Sequence, residues 1–366
     1  MTKSSQGMEP RTASAGTVGS DWRPTASREM LRLRAALLAR ARSFFASRGV
    51  LEVDTPMVVN APVTDVHIHS AGVMLEATDP RAQPKRPYFL HTSPEYAMKR
   101  LLAAGVGDIY QICHVVRGFE RGRLHNAEFT LIEWYRQGHP LDALMSEVEA
   151  LVRELLGAAC EPTQEESARA GSAGRGAGRQ GRVALRPGTR VSYREAFLQA
   201  LALDPFTASL DELSDHARRA GFGGVTSDRD ELLELLMGTV IGPRLGHGEL
   251  TFVHGYPASQ AALARLDPQD PRAAQRFELY CDGVELANGF HELASAREQR
   301  SRFERDIEER RRLGLPDAGL DERLLAALEA GIPDCCGVAL GFDRTLMLAA
   351  GADRIDAVLP FPTERA

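Results

Sequence analysis

Cysteine is scarce and unpatterned in this 366-residue chain. Cys113, Cys160, Cys281, Cys335 and Cys336 are odd in number and form no Cys-x-x-Cys pair. That excludes a zinc ribbon or a disulfide framework and favours a reducing compartment. Long apolar runs are also missing, and none approaches the ~18 residues of a membrane span. Residues 1–28 are Ser, Thr, Gly, Arg and Pro without an apolar core, so they do not read as a secretory signal. Nor is there a basic surplus: 44 Lys and Arg face 50 Asp and Glu, a net charge of −6. Such a balance makes a poor general binder of nucleic-acid backbone. There is no GxxxxGK[ST] phosphate loop and no repeat of solenoid period. Gly176-Ala-Gly178-Arg-Gln-Gly181 spells the dinucleotide pattern, but no strand leads into it, and it is not read as a site. A cytoplasmic globular protein is expected.

What is present begins near Glu29. Met30, Leu31, Leu33, Leu37, Leu38, Phe44 and Phe45 recur at helical spacing, and Gly49 suits a helix end. Val50 to Val53 reads as a strand stopped by Pro56. Further helices are expected over 95–104, 141–156, 194–202, 209–220, 228–237, 296–313, 321–330 and 343–350. Strands are expected near 250–254, 275–281, 284–288 and 336–341. Residues 160–183 are low complexity and read as a surface insertion. Strands joined by hairpins rather than βαβ crossovers predict an α+β fold, an antiparallel β-sheet flanked by helices.

Three stretches bear chemistry. Ile109 to Val116 and Glu128 to Arg136 read as strands around a polar loop that holds Arg117, Arg121, Arg123, His125 and Asn126. Alternation places Phe129, Leu131, Glu133 and Tyr135 on one face. A carboxylate among apolar neighbours is costly unless partnered, and arginine forks beside an aromatic platform suit a nucleoside triphosphate. The alternative is a solvated hairpin tip. In the second stretch, Asp282-Gly283 signals a two-residue hairpin that sets Tyr280 opposite Glu285. Glu278 and Glu285 then lie diagonally on one face, within reach of one Mg²⁺ shared with substrate phosphates. Asn288 and Glu292 join that face if a bulge or strand end falls at Gly289. The alternative is an edge hairpin with solvated acids. The third stretch, Gly337 to Arg344, is a buried strand turning into a helix, with Arg344 opposing the helix dipole. A bound anion, or a partner carboxylate such as Asp343, would resolve that conflict. His67 and His69, the Cys335-Cys336 pair and the arginine-rich 300–312 stretch are read as ordinary structural features.

Together these segments resemble the three signature motifs of class II aminoacyl-tRNA synthetases. Gly49-Val-Leu-Glu-Val-Asp-Thr-Pro56 is similar to motif 1, the dimer-interface element, residues 117–136 to motif 2, and Gly337 to Arg344 to motif 3. Thr92-Ser-Pro-Glu-Tyr-Ala-Met-Lys99 and Glu285-Leu-Ala-Asn-Gly-Phe-His-Glu292 resemble the lysine branch. Lysyl-tRNA synthetases have an oligonucleotide-binding barrel before the catalytic core, and the 28 residues before the first helix are too few for one. The chain therefore resembles the truncated ligases that attach lysine, preferably (R)-β-lysine, to elongation factor P. Ala339 fits, because the resemblance implies Gly there in the tRNA-charging enzymes.

The resemblance implies a class II catalytic domain over 29–366, behind a disordered leader (1–28) and interrupted by the 160–183 insertion. It implies ATP and Mg²⁺ as cofactors, a homodimer, no tRNA, no membrane, and a functional link to a lysine 2,3-aminomutase. Arg117 and Arg344 would be catalytic. Gly118, Phe119, Glu120, His125, Asn126, Phe129, Glu285, Leu286 and Gly341 would join them around ATP, with Glu278 and Glu285 on the metal. Ser93, Pro94, Glu95, Glu133, Tyr135, Asn288, Phe290, Glu292 and Ala339 would shape the amino-acid pocket. Two positions depart from the pattern: Phe119 stands where a Glu contacts the nucleotide, and Ala127 replaces a Pro. A free-standing lysyl-tRNA synthetase and a catalytically silent regulatory paralogue are the rival readings.

Overall fold

The computed structural model describes residues 22–75, 87–158, 186–224 and 226–366. Most of the expected leader, the whole 160–183 insertion and the Gly176–Gly181 pattern lie outside the described residues.

Helix α1 (Arg28–Ala46) starts where the Ser27 hydroxyl accepts a hydrogen bond from the Met30 amide at 3.2 Å, a side-chain cap. Gly49 follows with φ +67°, a left-handed conformation that glycine adopts without strain. Strands β1 (Leu51–Glu52), β2 (Val58–Val59), β3 (Gly72–Val73) and β4 (Tyr88–Leu90) precede α2 (Glu95–Ala103). Strands β5 (Ile109–Val116) and β6 (Glu128–Gln137) form the first long hairpin, and α3 (Leu141–Ala158) follows. After β7 (Arg186–Ser192) come α4 (Tyr193–Leu201), α5 (Leu210–Arg219) and α6 (Arg229–Leu236). The last third holds β8 (Glu249–Pro257), β9 (Ala273–Cys281), β10 (Val284–His291), α7 (Ala296–Arg312), α8 (Glu322–Ala330), β11 (Cys335–Gly341) and α9 (Phe342–Ala349).

Eight strands make one sheet in the order β1-β5-β6-β11-β10-β9-β8-β7, and β2-β4-β3 make a small second one. The six central strands of the large sheet run antiparallel to their neighbours, while β1 on β5 and β7 on β8 are parallel edge pairs. The α+β architecture is as expected. The short strands β2 to β4 are additions, because two- and three-residue strands leave no periodicity to read, and so is the edge strand β7, whose Arg-Pro-Gly-Thr-Arg run has no apolar alternation.

One face of the sheet is the core. Ile132 and Trp134 of β6 are fully buried there with Leu37 and Phe45 of α1, Leu144 and Val148 of α3, and Leu346 of α9. The Phe45 ring stacks on Tyr110 at 4.3 Å and meets Trp134 edge-on at 5.2 Å. Strand alternation then turns Glu133 and Tyr135 to the opposite face. The functional side chains gather on that face.

Candidate active site

Motif 2 supplies the entrance. Arg117 leaves the end of β5, its Nε donating to the Thr92 carbonyl at 3.2 Å, and its guanidinium lies 5.2 Å from the Phe129 ring. Glu120 stands 3.7 Å from it. Gly118 donates its N–H to the His69 carbonyl at 2.8 Å. Phe119 is 92% exposed with φ +63°, its ring edge-on to His69. Not every cation of this loop is free for phosphate. Arg121 is clasped by Asp356 at 2.7 Å and by Glu364, and Arg123 donates to the Asp353 carbonyl at 3.0 Å. Both fasten the loop to the C-terminal segment. The buried Asn126 does likewise, accepting from the Thr363 amide at 3.2 Å and donating to the Glu128 carbonyl at 2.7 Å.

Motif 3 arrives next to this loop through β11, which pairs with β6 on one side and β10 on the other. Asp343 is not the partner of Arg344. It is buried, pairs with Arg34 and accepts the Thr130 amide. Arg344 instead points across the cleft, donating to the Leu124 carbonyl at 3.2 Å and the Glu285 carbonyl at 2.9 Å. Its Nη2 lies 2.6 Å from His125 Nε2, and its Nη1 3.4 Å from the Glu285 carboxylate. Partial burial and the Arg344 charge both lower the His125 pKa, so the ring is neutral and accepts this contact. Gly341 caps the motif 3 helix, and Leu286 sends its side chain into the core. Leu286 therefore faces the cleft only through its backbone.

The β9–β10 hairpin has its two-residue turn as read, with Asp282 at φ +47° and Gly283 at +73°. The irregularity is elsewhere than expected. The register shifts between Glu285 and Ala287, not at Gly289. Leu286 and Ala287 both pack into the core, so two successive residues turn inward and the strand bulges. Beyond that point the parity is reversed, which brings Asn288 and Phe290 to the Glu285 face. Gly289 serves packing instead, since a Cβ there would run into the Phe277 ring opposite.

Glu285 faces Tyr280, and Glu278 faces Asn288, which keeps the two carboxylates diagonal. Glu278 accepts from Tyr256 at 2.5 Å and Tyr280 at 2.7 Å on one oxygen, and from Arg276 at 2.6 Å on the other. Arg276 also donates to Asn288 at 3.3 Å. Desolvation and the nearby Glu278 charge raise the Glu285 pKa. Among the described residues no three His, Cys, Asp or Glu converge as a metal cage. One remaining lone pair on Glu278 and the open Glu285 carboxylate fit a hard cation that takes its other oxygens from phosphates and water.

The amino-acid pocket lies beyond Arg117. Ser93 donates to Glu133 Oε2 at 2.7 Å and Tyr135 to Oε1 at 2.8 Å. Pro94 sits at the N-cap just before α2, and the Glu95 amide donates to Ser93 Oγ at 3.0 Å. Glu95 and Glu292 flank Lys99 at 2.7 and 2.6 Å. Burial, then the Glu95 charge, pushes Glu133 up to about 8, and burial raises Glu292 to about 7 against the pull of Lys99. Ala339 lies in register between Glu133 and Asn288 on the strands to either side. Phe290 packs against Ala261, Ala264 and Ala274 at the margin.

Four participants were not singled out from sequence. Lys99 is one; its signal was a Glu–Lys pair four residues apart on a helix face that also holds Met98 and Leu102. Arg276 and Tyr256, which hold Glu278, had none. The fourth is Gly337, where a Cβ would collide with the Glu292 carboxylate and the Tyr135 ring. That glycine makes room for the pocket.

A central antiparallel sheet bearing an arginine-rich hairpin, a carboxylate hairpin and a strand–helix arginine defines a class II synthetase catalytic unit. The family model described as tRNA synthetases class II (D, K and N) matches residues 19–365. The chain is 46% identical over 350 residues to "Elongation factor P--(R)-beta-lysine ligase" of Vibrio cholerae, covering 95% of this chain and 99% of the relative. Relatives of the same name from Proteus mirabilis (44% over 350 residues; 95% and 99% covered) and Salmonella typhi (42% over 359 residues; 94% and 98%) are similar. The chain belongs to the class II synthetase family and, within it, to the branch these ligases form.

Proposed function

We propose that this protein activates (R)-β-lysine, or lysine, with ATP and transfers it to a lysine side chain of bacterial elongation factor P. The observation that supports this most directly is the pocket itself: Glu95, Glu133 and Glu292 converge beside Arg117, on the face that also bears Arg344. Buried carboxylates in that number call for a substrate with more than one cationic group.

In the first step the substrate carboxylate attacks the α-phosphorus of ATP, forming an aminoacyl-adenylate and releasing pyrophosphate. That carboxylate is ionised near neutral pH, so no base is needed. Arg117 would hold the α-phosphate and Arg344 the far phosphates, with Phe129 stacked on adenine. Their contribution is orientation and charge stabilisation at positions set before reaction. Glu278 and Glu285 would hold Mg²⁺, which when bound neutralises phosphate charge. In the second step the acceptor ε-amine attacks the activated carbonyl, an amide forms, AMP leaves and the amine gives up a proton. The names of the relatives support elongation factor P as acceptor. A cytoplasmic homodimer, fed with β-lysine by an aminomutase, completes the reading.

The test is to incubate the enzyme with ATP, elongation factor P and each lysine isomer, then weigh the factor. A gain equal to one lysyl residue, dependent on ATP, is expected. An unmodified factor, with tRNA charged instead, would overturn the proposal.

A further inference from the structure

Lys99 is the one pocket charge to which the proposed reaction gives no task. It lies in α2, 1% exposed, with Glu95 and Glu292 at 2.7 and 2.6 Å. An ammonium is not buried this deeply without its counter-charges, and here they are carboxylates of the substrate pocket itself. Glu133 stands in the same pocket, where among the described residues it pairs with no cation; hydroxyls of Ser93 and Tyr135 satisfy it. Three carboxylates thus face one resident ammonium.

We infer that Lys99 is a positioning residue whose ammonium permanently fills the place between Glu95 and Glu292, directing the substrate's ammonium to the Glu133–Ser93 side. The pocket then keeps negative charge for two incoming cationic groups rather than three, the count of a diamino acid. This rests on the lysine-type substrate proposed above. The groups facing Glu133 are Glu95 and Ser93 from the α2 end, Tyr135 on its own strand and Glu292 from the end of β10. Among the described residues the cation facing Glu292 is Lys99. With the pocket still short of positive charge, Glu133 holds a proton until a substrate ammonium arrives.

The experiment replaces Lys99 by alanine and by methionine and follows amino-acid-dependent ATP–pyrophosphate exchange. Lys99→Ala is expected to lower kcat/KM for the amino acid ~100-fold, the scale of a misplaced substrate, with the KM for ATP unchanged. Ethylammonium restores exchange saturably, and acetamide of similar size does not. In Lys99→Met the acid limb of the pH profile moves up by roughly one unit, because the carboxylates have lost their cation. A second readout needs no amino acid: ethylammonium raises the melting temperature of Lys99→Ala but not of the wild type. It stands even if the wild type activates no lysine isomer, a result that would count against the function alone. Wild-type kinetics in both variants would overturn the inference. So would an inactive, folded Lys99→Ala enzyme indifferent to ethylammonium, or failure of both variants to fold.

Discussion

Arg34 and Asp343, 309 residues apart, form an ion pair, with the carboxylate buried and the guanidinium partly so, that locks the first helix to the motif 3 helix. The same guanidinium donates to Thr130 Oγ1 at 2.7 Å, and the same carboxylate accepts the Thr130 amide at 2.6 Å. The first helix, motif 2 and motif 3 therefore meet at one carboxyl group, next in sequence to Arg344. Removing Arg34 leaves the buried Asp343 carboxylate without its counter-charge, at a cost of about 3–5 kcal/mol. Asp343→Ala should lower the melting temperature sharply and weaken exchange, whereas an exposed pair such as Arg300–Glu322 should be nearly neutral to the same treatment.

Arg344 is held by two carbonyls, so its position precedes any ligand. Arg344→Ala and Arg117→Ala should each reduce kcat for exchange by about 10²–10³-fold, the range for losing one pre-positioned donor. The KM for the amino acid should change little in Arg344→Ala, since no residue of the amino-acid pocket touches it. Steady-state kinetics with ATP and amino acid varied separately check the split.

Glu133 sets a pH signature. Its pKa is raised from about 4.5 in the unfolded chain to about 8 in the fold, so between these values the native state binds the extra proton. Stability of the free enzyme should therefore fall as pH rises from about 4.5 to about 8. Glu133→Gln removes that slope, should stabilise the free enzyme at pH 8, and should abolish amino-acid activation. Melting curves across pH, with and without lysine, give both answers.

Gly337 has no left-handed backbone angle to explain it; space does. Gly337→Ala forces the Glu292 carboxylate and Tyr135 ring aside, an overpacking cost of about 1–3 kcal/mol. The KM for the amino acid should rise more than tenfold while ATP binding is retained. Equal effects on both substrates would contradict this.

Phe119 holds a left-handed backbone with almost no packing in return. Phe119→Gly should raise stability by about 1 kcal/mol. Exchange kinetics should be unchanged, and an increased KM for ATP would show that the exposed ring contacts the nucleotide.

Much of this protein is legible in its sequence because the signals are local. Alternation assigns Glu133 and Tyr135 to one face of β6, Asp282-Gly283 marks the β9–β10 hairpin, and apolar residues at helical spacing from Met30 give the first helix. These depend on backbone geometry and near neighbours, which a linear reading holds. The bulge at Leu286 was misplaced because Gly289 is the more conspicuous residue. Its cause is long-range: Leu286 and Ala287 both find room in a core built from α1, α3 and α9. Arg121 and Arg123 read as phosphate ligands for a similar reason, since their carboxylate and carbonyl partners lie more than 200 residues away.

The sequence by itself determined the α+β class, the three motifs and the carboxylates that point to a cationic amino acid. Tertiary structure alone decided which charges remain available. Asp343 is paired with Arg34, Glu278 is partly satisfied by Arg276 and two tyrosines, and Glu95 and Glu292 share the single charge of Lys99. The physical reason is that a buried charge must find its counter-charge in space. The folding of distant segments onto one sheet face chooses the partner.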